Sequence, residues 1–146
     1  MDSVALVKAA FAATEAGDMA KAGSYMTDDF MFSGPVPQPI GKTDFLGMQG
    51  ALHAALLDWK FNAKNFKAQG DKVTFAVQIT ATHTKTLNPV MPGMPAVPAT
   101  GKKVALPEEH IVVTLRGDKI ASLEVDQVPG GGVPGVLAQI GVKMPH

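Results

Sequence analysis

The spacing of apolar residues changes once along this chain, near Trp59, and that change limits the possible folds more than composition does. Before it, Val4, Leu6, Val7, Ala10, Phe11 and Thr14 recur at helical spacing, with Asp2 or Ser3 placed to cap the helix and Gly17 to stop it. Gly17-Asp18 restarts a short helix through Ala20, Ala22, Gly23, Tyr25 and Met26. Phe30-Met31-Phe32 reads as a brief strand, closed by Ser33-Gly34-Pro35 and a proline-rich loop to Pro39. Gly41-Lys42-Thr43-Asp44 opens a third helix with Thr43 as N-cap. Its apolar face is Phe45, Leu46, Met48, Leu52, Ala55 and Leu56, and Trp59 closes it.

Beyond Trp59 the period is two. Trp59, Phe61 and Ala63 alternate with polar residues, and Val73, Phe75, Val77, Ile79, Ala81 and His83 alternate with Thr74, Gln78, Thr80 and Thr82. Gly70-Asp71 is a hairpin turn between these runs. A further alternation runs from Val104 to Leu115, then the turn Arg116-Gly117-Asp118-Lys119 and a last strand from Ile120 to Val128. Tight turns join only antiparallel strands. Leu87 to Gly101, with prolines at 89, 92, 95 and 98, is a rigid loop between strands that partly covers a pocket, although its proline spacing also permits a polyproline recognition segment. Gly130-Gly131-Gly132 is a joint before a short apolar helix, 133–141. Three N-terminal helices followed by a long antiparallel sheet predict a cone-shaped α+β fold, with residues 1–146 as a single domain.

With 46% hydrophobic and 18% charged residues the chain has the makeup of a globular protein rather than a disordered one. The net charge is zero and no lysine stripe is present, which excludes nucleic acid as an expected partner. Arg116 is the only arginine, so bidentate grip on a phosphorylated cofactor is unsupported and no cofactor is expected. The absence of cysteine removes disulfides, thiolate metal sites and cysteine nucleophiles together. No signal peptide or membrane span is read from the sequence, and a soluble cytoplasmic protein is expected.

Two segments carry a family resemblance. Ala81-Thr82-His83-Thr84, a proline-rich insertion, and then Pro98-Ala99-Thr100-Gly101-Lys102 resemble paired strand ends of SnoaL-like polyketide cyclases and ester cyclases. Arg116-Gly117-Asp118-Lys119-Ile120 followed by Gly135-Val136-Leu137-Ala138-Gln139-Ile140-Gly141 resembles the ending of the same family. The Gly17-Asp18 and Asp28-Asp29-Phe30 signals extend the likeness over nearly the whole chain. The resemblance implies the nuclear transport factor two-like, cystatin-like fold: a curved antiparallel sheet and helices around an apolar pocket. Such a fold hosts several chemistries, so activity is argued from the site.

In that family the last long strand carries a tryptophan and an acid/base aspartate, and here those positions are Glu124 and Val128. Asp126, two residues earlier on the strand face of Val128, is therefore the candidate base, with Glu124 beside it. An inward face would raise their pKa by desolvation; an outward face would point them at solvent or a partner subunit, and the alternation admits both. His83 continues the apolar phase of Val73 to Ala81, and His110 lies on the next strand with Glu108 and Val112. Each is a candidate proton shuttle or a histidine hydrogen-bonded at a strand end. The histidine spacings match no local metal motif, and no metal is expected. Tyr25 is either an oxyanion donor, as in steroid isomerases of this fold, or a packing residue. The Asp-Arg-Asp chemistry of epoxide hydrolases is unsupported, since Arg116 sits in a turn.

Two functions follow. One is a proton-transfer enzyme of cyclase or isomerase type acting on a small apolar carbonyl compound, with Asp126 as base and His83 or His110 assisting. The other is a non-catalytic ligand-binding or dimerisation module, in which Phe32, Trp59, Phe75 and Met91 enclose an apolar ligand or simply form core. A homodimer is expected through the open sheet face, read as Thr74, Gln78, Thr80, Thr82, Ile111, Val113 and Leu115. Strand parity predicts that the pocket is lined by His83, His110 and at least one of Glu124 and Asp126. Atomic coordinates test this directly, because a one-residue slip reverses every side chain.

Overall fold

A computed structural model of the chain describes residues 2–34, 38–89 and 95–142. The Asp2 carboxylate accepts the Ala5 N–H at 2.7 Å and caps α1, Ser3–Glu15. Gly17 at φ +80° turns the chain, and Asp18 caps α2, Met19–Ser24, through the Lys21 N–H at 3.0 Å. β1, Met26–Ser33, is longer than the brief strand expected from sequence and buries Met26, Phe30 and Phe32. β2, Ile40–Gly41, pairs with β1 and leads directly into α3, Lys42–Ala55. Strand pairing places the helix start at an extended Gly41, so Thr43 lies inside the first turn and is not the N-cap. Met91, the rest of 90–94, Pro35, Pro37 and His146 lie outside the described residues.

The strands that follow are β3, Lys64–Gln69; β4, Lys72–Val77; β5, Thr80–Thr82; β6, Lys103–Ala105; β7, Glu109–Arg116; and β8, Lys119–Val125. Six of them form one sheet in the order β2-β1-β8-β7-β4-β3, and β5 and β6 pair as a separate ribbon. The hairpins β3–β4 and β7–β8 and the pair β4–β7 are antiparallel, as the turns require. β1 joins β8 in parallel, a pairing between distant segments that no turn announces. The fold is α+β of the curved-sheet kind, with α1, α3 and α4, Gly132–Gln139, on its inner side.

The continuous strands read as Val73–His83 and Val104–Leu115 are each broken in two. After Val77 the chain changes partner: Gln78 N–H bonds the Phe61 carbonyl, Lys60 and Thr80 bridge, and Leu106 N–H bonds the Ile79 carbonyl at 2.9 Å. Val77, Ile79, Ala81 and His83 stay buried through this break. The break at Leu106-Pro107-Glu108 behaves differently. Val104 and Leu106 are buried, but on β7 the buried residues are Glu109, Ile111, Val113 and Leu115. Pro107 has no N–H for a ladder, and the irregular residues around it shift the alternation by one. Ile111, Val113 and Leu115 are therefore core, correcting their assignment to the outer face; Thr74, Gln78 and Thr80 are exposed as expected.

The core joins two aromatic groups. Phe45 on α3 packs against Phe30 and Phe32 at 5.3 and 4.8 Å between ring centroids, and Phe11 on α1 meets Phe61 and Phe75 edge-on at 4.8 and 5.1 Å. α4 follows the triple glycine, starts at Gly132 and ends at Gln139, two residues short of the expected end. Its Val133, Val136 and Leu137 are buried, and the Gln139 amide clips both the N–H and the carbonyl of Ala105 at 2.8 and 2.9 Å. Gly135 lies against the Gly130 carbonyl so closely that a β-carbon there would collide with it. Gly135→Ala is expected to lift α4 and lower stability by about 1–3 kcal/mol, read as a lower Tm in thermal unfolding.

Candidate functional site

Between the sheet, α1, α3 and α4 lies a cavity of about 60 Å³. Its wall is mostly apolar: Phe11, Phe32, Met48, Leu52, Phe61, Val77, Ile79, Leu106, Ile111, Leu123, Val125 and Val133. Three polar side chains interrupt it, Gln49 from α3, Trp59 from the segment after α3, and Glu109 from the first position of β7. Glu109 is 2% exposed. The register places it opposite Val77 on the inner face, and the Gly132 N–H at the start of α4 points to its Oε1 at 3.4 Å. A β-carbon on Gly131 would come within 3.1 Å of the Glu109 carboxyl carbon, so the glycines let the helix start close over the acid.

Burial pushes the Glu109 carboxyl above the usual range, the Gly132 N–H partly opposes this, and the nearby Asp126 charge adds to it. A carboxyl of this kind holds and releases a proton closer to neutral pH than an exposed one does. The Trp59 indole N–H has no hydrogen-bond partner among the described residues, and Gln49 is 9% exposed on the same wall.

The residues expected to carry chemistry are placed elsewhere. His110 pairs across the ladder with Ala76, and Glu124 with Val112, all on the outer face. His110 and Asp126 bind each other there: the His110 N–H donates to Asp126 Oδ1 at 2.8 Å, and its ring Nδ1 lies 3.2 Å from Oδ2. Their side chains are 69% and 43% exposed. The expectation that His110 and at least one of Glu124 and Asp126 line the pocket is thus corrected: the phase shift at Pro107 turns β7 over, and the register of β8 against it settles the two acids on the outer face. His83 is fully buried but does not line the cavity. Its Nδ1 accepts the Thr100 N–H at 3.3 Å and lies 2.9 Å from Thr100 Oγ1, and its Nε2 has no partner among the described residues. Tyr25 caps the end of α2 and packs on the core away from the cavity. Phe32 and Trp59 line the cavity, whereas Phe75 is buried behind it between Phe11 and Phe66. Arg116 is held by Asp29 through two bonds of 3.1 Å. Among the described residues no three His, Asp or Glu side chains gather into a metal-binding group, and no helix is long and apolar enough to cross a membrane.

Sequence reasoning missed Glu109. The signal was present: an acid in step with Ile111, Val113 and Leu115, two residues after a proline able to reset the strand.

The sequence model of the SnoaL-like domain matches residues 7–123. The chain belongs to the SnoaL-like domain family. No curated protein matches the sequence. Among solved structures, AclR, a candidate hydroxylase from Streptomyces galilaeus, is similar with a TM-score of 0.73 and 18% identity, over 97% of this chain and 96% of its own. A candidate SnoaL-like polyketide cyclase from Jannaschia superposes with a TM-score of 0.73 and 15% identity, over 97% and 92%. An uncharacterised cystatin-fold protein from Novosphingobium aromaticivorans gives 0.64 and 23%, over 87% and 99%. These likenesses place this SnoaL-like chain in the nuclear transport factor two-like, cystatin-like fold.

The raised Glu109 carboxyl has a consequence for stability. The folded state binds its proton more tightly than the unfolded state, so this contribution is complete below the ordinary value of 4.5 and is lost as pH rises through the folded value. Glu109→Gln is expected to show a higher Tm than the wild type at pH 8 and a difference that shrinks toward pH 4, measured by calorimetry across that range.

Proposed function

We propose that this SnoaL-like chain is a small-molecule pocket protein performing cofactor-free proton transfer, of cyclase or isomerase type, on a small apolar carbonyl compound. Glu109, rather than Asp126, is the acid/base. The observation that carries the reading is a buried carboxyl, 2% exposed and the one acid among the described residues that line a mostly apolar cavity. Ionised, it takes the proton from a carbon beside the carbonyl, and the C–H electron pair moves into the enolate. The resulting carboxylic acid returns the proton to another carbon or to the oxygen, so the group ends as it began. Trp59 and Gln49 supply hydrogen-bond donors on the same wall for the charge that develops on oxygen.

A second reading, the non-catalytic module, is favoured by one observation: a cavity of about 60 Å³ holds only a few waters as it stands. Turnover of a panel of apolar ketones and esters separates the two. Under the catalytic reading Glu109→Gln loses about a hundredfold to ten-thousandfold in rate while Asp126→Asn keeps most of it. Wild-type protein that turns over nothing yet binds the panel as tightly as Glu109→Gln does identifies the module.

The homodimer is proposed through the outer sheet face, now composed of Met31, Val112, Thr114 and Ser122 with the His110–Asp126 pair beside them. Met31 is 43% exposed there, one of the two large apolar side chains left on the described surface. Light scattering at micromolar concentration is expected to return about twice 15.2 kDa, and Met31→Glu to return the monomer.

A further inference from the structure

Outside the cavity, between α1 and the start of β3, lies a groove of about 350 Å³, much larger than the cavity itself. Phe11 and Phe61 line both spaces. Their rings, 4.8 Å apart and edge-on, are therefore the partition between the two. Phe11 is half-buried on α1. The main chain of Phe61 is anchored by the Glu15 carboxylate, which accepts the Phe61 N–H at 2.7 Å.

The groove has its own chemistry. Lys8 and Lys60 are exposed on it, and neither forms an ion pair among the described residues. The Lys8 ammonium lies 5.0 Å from the centre of the Phe66 ring, and the Lys60 backbone is bonded in both directions to Thr80, which fixes where its side chain starts. Glu15, the one acid on the groove, is engaged by the Phe61 main chain. Glu109 lines the cavity and not the groove, so a negative charge meets an acid inside, whereas outside the two lysines exceed the single carboxylate of Glu15 by one charge among the described residues.

We propose that the groove is the vestibule and anion subsite of the cavity, and that the ligand is an amphiphile. Its apolar, aryl-like body passes between Phe11 and Phe61, and its carboxylate stays on Lys8 and Lys60. The proposal rests on the reading of the cavity as a small-molecule site and names the ligand class. It also accounts for the small resting volume, since a compound of ordinary size needs about 300 Å³ or more.

Trp59 is the only tryptophan and lines the cavity, so its emission reports arrival inside, while calorimetry reports binding anywhere. Both are read with 4-phenylbutyrate, 4-phenylbutan-1-ol and 4-phenylbutylamine, which share a skeleton and differ in charge. The carboxylate is expected to bind most tightly and the amine least, with a change in Trp59 emission. The double variant Lys8→Gln, Lys60→Gln weakens the carboxylate about three- to tenfold and leaves the alcohol unchanged. Equal affinity for the three probes, carboxylate binding indifferent to the lysine changes, heat without a Trp59 response, or no carboxylate binding at millimolar concentration each overturn the proposal. The charge series with no turnover of any carbonyl compound upholds the vestibule and removes the catalytic reading. Turnover lost in Glu109→Gln with a flat charge series does the reverse.

Discussion

The hydrogen bond from the Leu106 N–H to the Ile79 carbonyl sits between two breaks in the sheet, and the arrangement of the rest depends on it. On one side the chain leaves the six-stranded sheet after Val77 and pairs Thr80–Thr82 with Lys103–Ala105. On the other it re-enters at Glu109 after Pro107. Both strands turn at the same level, which lets a small ribbon fold away from the main sheet and leaves space beneath α4. The two breaks differ in phase. Burial continues unshifted from Val77 through His83, but moves by one residue between Leu106 and Glu109. That single step decides which ionisable groups face the interior.

Glu109 is the outcome of the step, and the α4 joint is what makes its position tolerable. A buried carboxylate with no partner is strongly disfavoured. Here the acid has a main-chain N–H at the start of a helix and no side-chain partner among the described residues, so it is held in place without being locked in its ionised form. Gly131 allows the close approach, Gly135 lets the helix lie on its own joint, and Gln139 clips the far end to Ala105. By contrast two exposed acids have ordinary surface partners: Asp126 has His110, and Asp29 has the only arginine.

The aromatic residues serve packing and access together. Phe11 touches Phe61 and Phe75 in the core and at the same time forms part of the wall between cavity and groove. Asn62, at φ +50°, follows Phe61, and its amide bonds the Gln78 carbonyl and the Thr80 hydroxyl. Asparagine tolerates this left-handed backbone better than other non-glycine residues. The irregular path brings both Trp59 and Phe61 inward while Lys60 between them faces out.

Local sequence signals were enough for the α+β class, the helices at its start, the hairpin turns at Gly70 and Gly117, a cap at Asp2 or Ser3 and the family likeness. Each of these is local, written in spacing, caps or turn residues within a few positions. The sequence also placed Phe32 and Trp59 among residues that line the cavity. What it did not determine was phase across a break. Alternation tells which residues share a face of one strand, but not how that face relates to the next strand once a proline and two irregular residues intervene. His110 was assigned to the interior by counting through Pro107, and Glu109 was passed over for the same reason, while the alternation left the facing of Glu124 and Asp126 open. The parallel union of β1 with β8 was likewise invisible, because no turn joins them. Only the tertiary structure decided which face was inside, since that depends on the strands that pair on either side and the helices that cover them.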